Sequence, residues 1–249
     1  MKFCKQNFLS KQKIALIILV RLNSKRLKKK ALLKIHNITV IELLIKRLLK
    51  KYPCQNIFIC TDRRENKELK ILSKQNNINF FRGDEKNIFK RIIKLRKIYK
   101  FNHFVRITGD NPFTNTFAIH KMSLAHINGR YDYTYTNSLP IGTRPEIISF
   151  KALVRANKLA LDPNSSEYMT YFFKREIFKI KKIYFKKKHS KQNFFEITID
   201  KIKDLKNIRK NFSQTEIFSP DSQILDKICK INKNFVPKIT TKAKIKTSK

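Results

Sequence analysis

The longest unbroken apolar run, Ile14–Val20, lies between Lys13 and Arg21. It is apolar at every position rather than at alternate ones, which predicts a strand over Lys13–Val20 covered on both faces, as in a parallel sheet. A polar, cationic stretch follows. Ile38, Ile41, Leu44, Ile45, Leu48 and Leu49 then recur at helical spacing, with Glu42 and Lys46 as an outward i,i+4 pair. Asn56–Thr61 predicts a second strand, residues 65–76 a polar helix and Ile78–Phe81 a short strand. Ile88, Phe89, Ile92, Leu95 and Tyr99 mark a further amphipathic helix, Phe104–Ile107 a fourth strand and Phe117–Ala125 a helix. Strands alternating with helices argue for βαβ units on a parallel sheet, an α/β fold.

Past Tyr131–Tyr135 the pattern changes. Residues 137–146, NSLPIGTRPE, are the richest turn stretch in the chain. The spacing beyond it predicts helices over Phe150–Leu161 and Ser166–Phe178, separated by an Asp162-Pro163-Asn164 turn. Tyr184–Lys188 and Phe194–Thr198 read as strands, the second running into Ile199-Asp200, and helices are expected near 202–211 and 221–232. One domain over 13–232 is expected, with basic tails at 1–12 and 233–249.

In open parallel sheets, ligands sit beyond the carboxyl ends of the strands. The expected strand-end loops are Arg21–Lys30, Thr61-Asp62, Arg82–Asp84 and Thr108–Pro112. The last, within FVRITGDNPF, breaks a buried strand with Gly109, one of only four glycines, directly before Asp110. A carboxylate past a strand end, beside a glycine that permits close approach, suits a metal-phosphate site; a plain Gly-Asp turn uses the same residue types. The first loop carries Arg21, Lys25, Arg26, Lys28, Lys29 and Lys30 and no glycine, so it is neither a Walker loop nor GxGxxG. With Ser24 it offers charge-assisted hydrogen bonds to a triphosphate; an exposed lysine run is the plain alternative.

Composition adds less. Lys+Arg number 57 against 18 Asp+Glu, a formal net charge of +39. That balance fits a polyanionic partner, but the lysines are spread along the chain and travel with abundant Ile, Asn and Phe, which reads as compositional drift and solvated faces. The 20 Phe fall largely on core positions, whereas nucleic-acid binding wants exposed aromatics among the cations. Nucleic acid is therefore not the expected partner. No apolar run approaches the ~20 residues of a membrane span, and Ile14–Val20 lacks a signal-type cleavage site, so a cytoplasmic protein is expected. Cys4, Cys54, Cys60 and Cys229 are scattered, with no CxxC pair and no histidine at ligand spacing.

The loop Arg21-x-x-Ser24-x-Arg26-Leu27-x-x-Lys30 resembles the RxxSxRLPxK loop of the cytidylyltransferases that make CMP-activated acidic sugars. Among these, the spore-coat-polysaccharide type, related to CMP-KDO and CMP-acylneuraminate synthetases, is the most similar branch. Arg106-Ile-Thr-Gly-Asp110-Asn-Pro112 matches its RITGDxP and Phe81-Arg82-Gly83 its FRG. Tyr133–Asn137 loosely resembles YxSN, Pro140-x-Gly142 matches PxG, Asp162-Pro163 with Glu167 resembles DPxxxE, and Thr198-x-Asp200 resembles TxD before a helix. The matches span about residues 13–211 in order.

The resemblance implies a Rossmann-like three-layer nucleotidyltransferase fold, with a mostly parallel sheet and a small β-containing insertion. It implies nucleotide binding by Arg21, Ser24, Arg26, Lys30, Thr61, Arg82 and Gly109. Asp110, Asp200 and Lys30 would be catalytic, the two aspartates holding Mg²⁺, and Asn137, Arg144, Glu146 and Glu167 would face the sugar. CTP and a sugar are the implied partners, with a homodimer left open, and surface polysaccharide the implied destination. Several positions depart from the family pattern. Asn23 stands for the loop glycine, Lys28-Lys29 for Pro-Gly, Arg144 for an Asp, and Tyr168 and Tyr171 for a His and a Pro. A relative that binds nucleotide or sugar with reduced catalysis is the alternative these departures raise.

Overall fold

The computed structural model describes residues 13–24, 26–64, 66–160, 169–185 and 196–233. The expected tails lie outside them, apart from Lys233. At the centre is β1 (Ile14–Leu19), buried at all six positions. It pairs in parallel with β4 (Ile57–Asp62) on one side and with β6 (His103–Thr108) on the other, and β5 (Asn79–Gly83) adds to β4 in parallel. Beyond β6 come β8 (Glu146–Ser149), antiparallel to it, then β7 (Tyr133–Tyr135) and β9 (Ile180–Lys182), giving the order β5-β4-β1-β6-β8-β7-β9. Only β8 runs against the rest. A separate two-stranded hairpin joins β2 (Lys34–Ile35) to β3 (Ile38–Thr39).

The alternation of a pleated strand explains the three layers. Ile14, Leu16 and Ile18 face one core with α1 (Val40–Leu49), α2 (Lys67–Gln75) and α4 (Thr116–Asn128). Ala15, Ile17 and Leu19 face the other with α3 (Ile88–Tyr99) and α5 (Phe150–Leu159). A third cluster joins the hairpin and the outer side of α1 to α6 (Ile202–Asn211) and α7 (Asp221–Lys233). That cluster is tied down by Arg47, which is buried and donates to Ile217 O at 3.1 Å, Ser219 O at 2.9 Å and Asp221 Oδ1 at 2.6 Å. Asp221 also accepts from Thr116 Oγ1 and Phe117 N, so one carboxylate joins α1, α4 and α7.

The four strands the pattern predicted lie where it put them, as β1, β4, β5 and β6, although β5 is a partly exposed edge strand. The β2–β3 hairpin was not anticipated, and Ile38, read as the first apolar position of a helix, lies in it. Four expectations for the second half need correction. First, β8 was not anticipated: four residues carry too short an alternation, and pairing with β6 fixes them as a strand. Second, the described part of the Ser166–Phe178 helix is a 3-10 turn at 169–172 followed by irregular chain. Met169, Phe173 and Phe178 are buried, and Phe173 stacks on Tyr133 at 4.9 Å, so aromatic anchoring overrides helical spacing there. Third, of the strand expected over Tyr184–Lys188, Tyr184 and Phe185 lie past the end of β9 (Ile180–Lys182) and form none, and 186–188 lie outside the described residues. Fourth, residues 196–200 form no strand: Ile197 N donates to Ile141 O at 3.0 Å and Ile199 N to Asp110 O at 3.1 Å, both loop carbonyls.

Candidate functional site

The chain leaves β1 at Val20 and enters a loop that closes on itself through Lys29 N to Leu22 O at 2.7 Å. Leu22 and Ser24 are buried in it, while Arg21, Asn23 and Arg26 are exposed. Lys29 holds φ 51°, the left-handed region that glycine adopts without strain, and a 3-10 turn over Lys30–Leu32 follows. At the end of β6, Gly109 N donates to Leu19 O at 2.9 Å. A Cβ on Gly109 would stand 2.8 Å from Val20 Cβ. The group that approaches this glycine is therefore the neighbouring strand end, and the tight fit sets where Asp110 begins.

Asp200 reaches the same place from far along the chain. Residues 197–200 are held by the two loop carbonyls described above, and Asp200 N and Lys201 N donate to Asp204 Oδ2 at 2.9 and 2.7 Å. Gly142, with φ +88°, is what lets the segment lie so close: a Cβ there would meet Thr198 N at 2.7 Å and Ile197 C at 2.9 Å. The Pro140-x-Gly142 turn is thus the seat on which the Asp200 segment rests.

Lys30 lies between the two carboxylates. Its Nζ contacts Asp110 Oδ2 and donates to Asp200 Oδ1 at 2.6 Å, and its side chain is only 12% exposed. Arg26 Nη1 reaches Asp200 Oδ2 at 2.9 Å from an exposed position. Burial pulls the Lys30 ammonium down, but Asp110 and Asp200 outweigh it and leave its pKa raised, so it stays charged. Glu196 joins this neighbourhood without having been expected. Partial removal from water, then Asp200 and Asp204, raise its carboxyl, with Arg26 opposing. Its only sequence signal was its place four residues before Asp200.

The donor set fits a hard divalent cation. Asp110 Oδ1 is buried and has no hydrogen-bond partner, and carboxylate oxygens are what Mg²⁺ takes. Among the described residues no three His, Cys, Asp or Glu side chains form a metal-holding group. One or two carboxylates completed by substrate phosphates is the usual Mg²⁺ arrangement at such sites.

The other expected residues are placed as follows. Thr61 is fully buried within β4, its Oγ1 accepting from Asn66 Nδ2 at 3.0 Å, so it presents no exposed atom to a ligand. Arg82, opposite it in register on β5, is exposed. Asn137 is exposed. Glu146 has both oxygens engaged, with Arg106 Nη1 and the Tyr133 hydroxyl each at 2.5 Å, and braces β6 against β8 and β7. Arg144 is half-buried and donates from Nε to Leu139 O at 2.5 Å. Glu167 and Tyr168 lie outside the described residues. Arg26, Asp200, Lys30 and Asp110 are therefore joined in one chain of ion pairs, while Glu146 braces the adjoining strands and Arg144 the loop between them.

A family model described as cytidylyltransferase matches residues 15–233. A protein of Methanocaldococcus jannaschii, MJ1063, is 34% identical over 196 residues, covering 78% of this chain and 81% of that one. The spore coat polysaccharide biosynthesis protein SpsF of Bacillus subtilis is 28% identical over 167 residues, 65% of this chain and 70% of that one. Among solved structures, a cytidylyltransferase from Leptospira borgpetersenii superposes with a TM-score of 0.79 at 20% identity, covering 93% of this chain and all of that one. A CMP-2-keto-3-deoxy-manno-octonic acid synthetase complexed with CTP gives a TM-score of 0.60 at 12% identity, covering 80% and 97%.

Proposed function

This chain belongs to the cytidylyltransferase family, and on that premise we propose that it transfers a cytidylyl group from CTP to a sugar, in the cytoplasm, releasing pyrophosphate and supplying surface polysaccharide synthesis. The observation that carries the reading is the meeting of Asp110 and Asp200 with Lys30 and Arg26 at the carboxyl end of the sheet. Likeness to SpsF and to a CMP-sugar synthetase supports the sugar as acceptor. An acidic sugar is the preferred acceptor class.

In this reading Arg21, Ser24, Arg26 and Lys30 bind the triphosphate and orient it for in-line displacement. Phosphoryl-type transfer demands positioning and charge neutralisation more than covalent help. A sugar hydroxyl attacks the α-phosphorus, the bond to the bridging oxygen breaks, and pyrophosphate departs against Arg26 and Lys30. Mg²⁺ held by Asp110 and Asp200 would supply charge neutralisation at the phosphate oxygens and polarisation of the reacting phosphorus. Glu146 and Arg144 keep the sugar-side loop in place.

Pyrophosphate release from each nucleoside triphosphate, with a panel of acidic and neutral sugars, tests the proposal. CTP with one acidic sugar should support turnover, and Asp110→Asn should remove most of it while leaving the thermal transition in place. Absence of turnover with every pair, or near-normal turnover in Asp110→Asn, would sink it.

A further inference from the structure

Lys30 is more than one cation of a basic loop, because its ammonium contacts both carboxylates that would share a metal. Its Nζ engages both at once, through Asp110 Oδ2 and Asp200 Oδ1. A cation bridging Asp110 and Asp200 would need that same space. Two positive charges at hydrogen-bond distance from one another, mostly removed from water, repel strongly. Lys30 and a bridging divalent cation therefore exclude each other in this arrangement.

The geometry also says which partner can move. Asp110 follows the tight Gly109–Val20 contact, and its carbonyl accepts from Ile199 N. Asp200 is fixed through the Asp204 cap. Lys30, by contrast, carries its charge on a four-carbon stem with rotatable donors. The chain around it is anchored by Lys29 N to Leu22 O and by the Lys29–Glu68 ion pair at 2.8 Å, so the backbone can stay while the side chain swings.

We propose that Lys30 is a latch on the metal site. It competes with the divalent cation for Asp110 and Asp200, and a triphosphate releases it by offering the ammonium a different set of oxygens. The consequence is an order of binding. Metal alone meets a site already neutralised, whereas metal arriving with a triphosphate meets two freed carboxylates. Linkage makes this reciprocal: whatever factor the triphosphate adds to metal affinity, the metal adds to triphosphate affinity. The inference rests on the nucleotidyltransferase reading for the identity of the releasing ligand. The competition itself depends only on the three side chains.

Mn²⁺ titration of the full chain without nucleotide, followed by the loss of the free-ion spin-resonance signal, tests the latch. Lys30→Met should bind Mn²⁺ tighter than the unmodified chain by about 5- to 150-fold, the usual range of site-to-site coupling. Lys30→Gln, neutral and polar, should act the same way and serves if the methionine variant is poorly folded. Lys28→Met, which removes an exposed cation of the same loop, should change little, and Asp110→Asn combined with Lys30→Met should abolish the gain. Unchanged or weaker Mn²⁺ binding in folded Lys30 variants would overturn the latch, as would an equal gain in Lys28→Met. Those outcomes are separate from CTP turnover, whose absence would overturn the proposed function and leave the Mn²⁺ result standing.

Discussion

Gly142→Ala is the change in which backbone geometry and catalysis meet most directly. Gly142 is the one glycine with a left-handed φ, +88°, and an added Cβ would stand 2.7 Å from Thr198 N, about 0.7 Å inside the 3.4 Å at which ordinary contact begins. Two costs follow. Holding an alanine in the left-handed region costs about 1–2 kcal/mol, and overpacking against backbone atoms adds about 1–3 kcal/mol. A destabilisation of roughly 2–5 kcal/mol corresponds to a Tm lower by roughly 5–15 °C for a chain of this length. Relief by movement would push the 197–200 segment, and Asp200 with it, away from Asp110. A misplacement near 1 Å costs about a hundredfold in rate, so kcat for pyrophosphate release should fall about ten- to a hundredfold. Gly142→Asn separates the two effects, since asparagine tolerates the dihedral but keeps the Cβ. It should regain part of the Tm and little of the kcat. Calorimetry and the pyrophosphate assay on the same preparations decide the matter. A Tm within about 2 °C and a kcat within about twofold of the unmodified chain would refute the claim that Gly142 seats Asp200.

Three further outcomes are expected. Arg26→Ala should weaken CTP binding by about 1.5–3 kcal/mol, the value of a hydrogen bond to a charged group, and Lys28→Ala by much less; equal losses in a direct binding titration would reduce the loop to a diffuse basic surface. His126 is fully buried against His103 and Thr134, and burial, then His103, holds its pKa down to about 3 from 6.5. Between those values the unfolded chain binds a proton that the folded chain refuses, so this contribution is complete above the unfolded pKa and is lost as pH falls, by up to about 1.4 kcal/mol per unit. Urea unfolding at several pH values should show a slope about one proton shallower in His126→Gln, and identical slopes would count against it. Lys100 closes α3 at φ 47° and ψ 49°, so Lys100→Gly should stabilise the chain by about 0.5–1 kcal/mol, read from the urea midpoint; a lower midpoint would contradict the strain.

The half of the fold built from doubly covered strands was legible because burial on both faces writes itself as an unbroken apolar run. Ile14–Leu19 could be read without knowing its neighbours. Glu146–Ser149 could not, because its status comes from the register that sets Arg106 against Glu146 and Val105 against Ile147. The same limit explains residues 196–200, the described part of the strand expected there and its continuation. Their alternation is real, and Ile197 and Ile199 are buried, but their backbone groups find loop carbonyls instead of a strand edge. Local pattern reports which side chains go inside; it does not report which backbone will be beside them.

The site divides along the same line. The aspartate past Gly109 could be suspected from the break in a buried strand, and the cations from their crowding before Lys30. Nothing local joins Lys30 to Asp200, which are 170 positions apart, or gives Gly142 its task of admitting Thr198. Lys29 goes further, since it adopts a left-handed backbone with no glycine to signal it. In the Arg21–Lys30 loop, geometry is imposed by what the loop touches and is not announced by turn residues. A loop shaped by its contacts keeps its course only while they persist: Lys29 stays left-handed because Leu22 O and Glu68 hold it, and Lys30 emerges toward Asp110 because Lys29 does. The loop cations and the carboxylates are therefore one packing problem, in which the position of the charge depends on strand ends that carry no charge themselves.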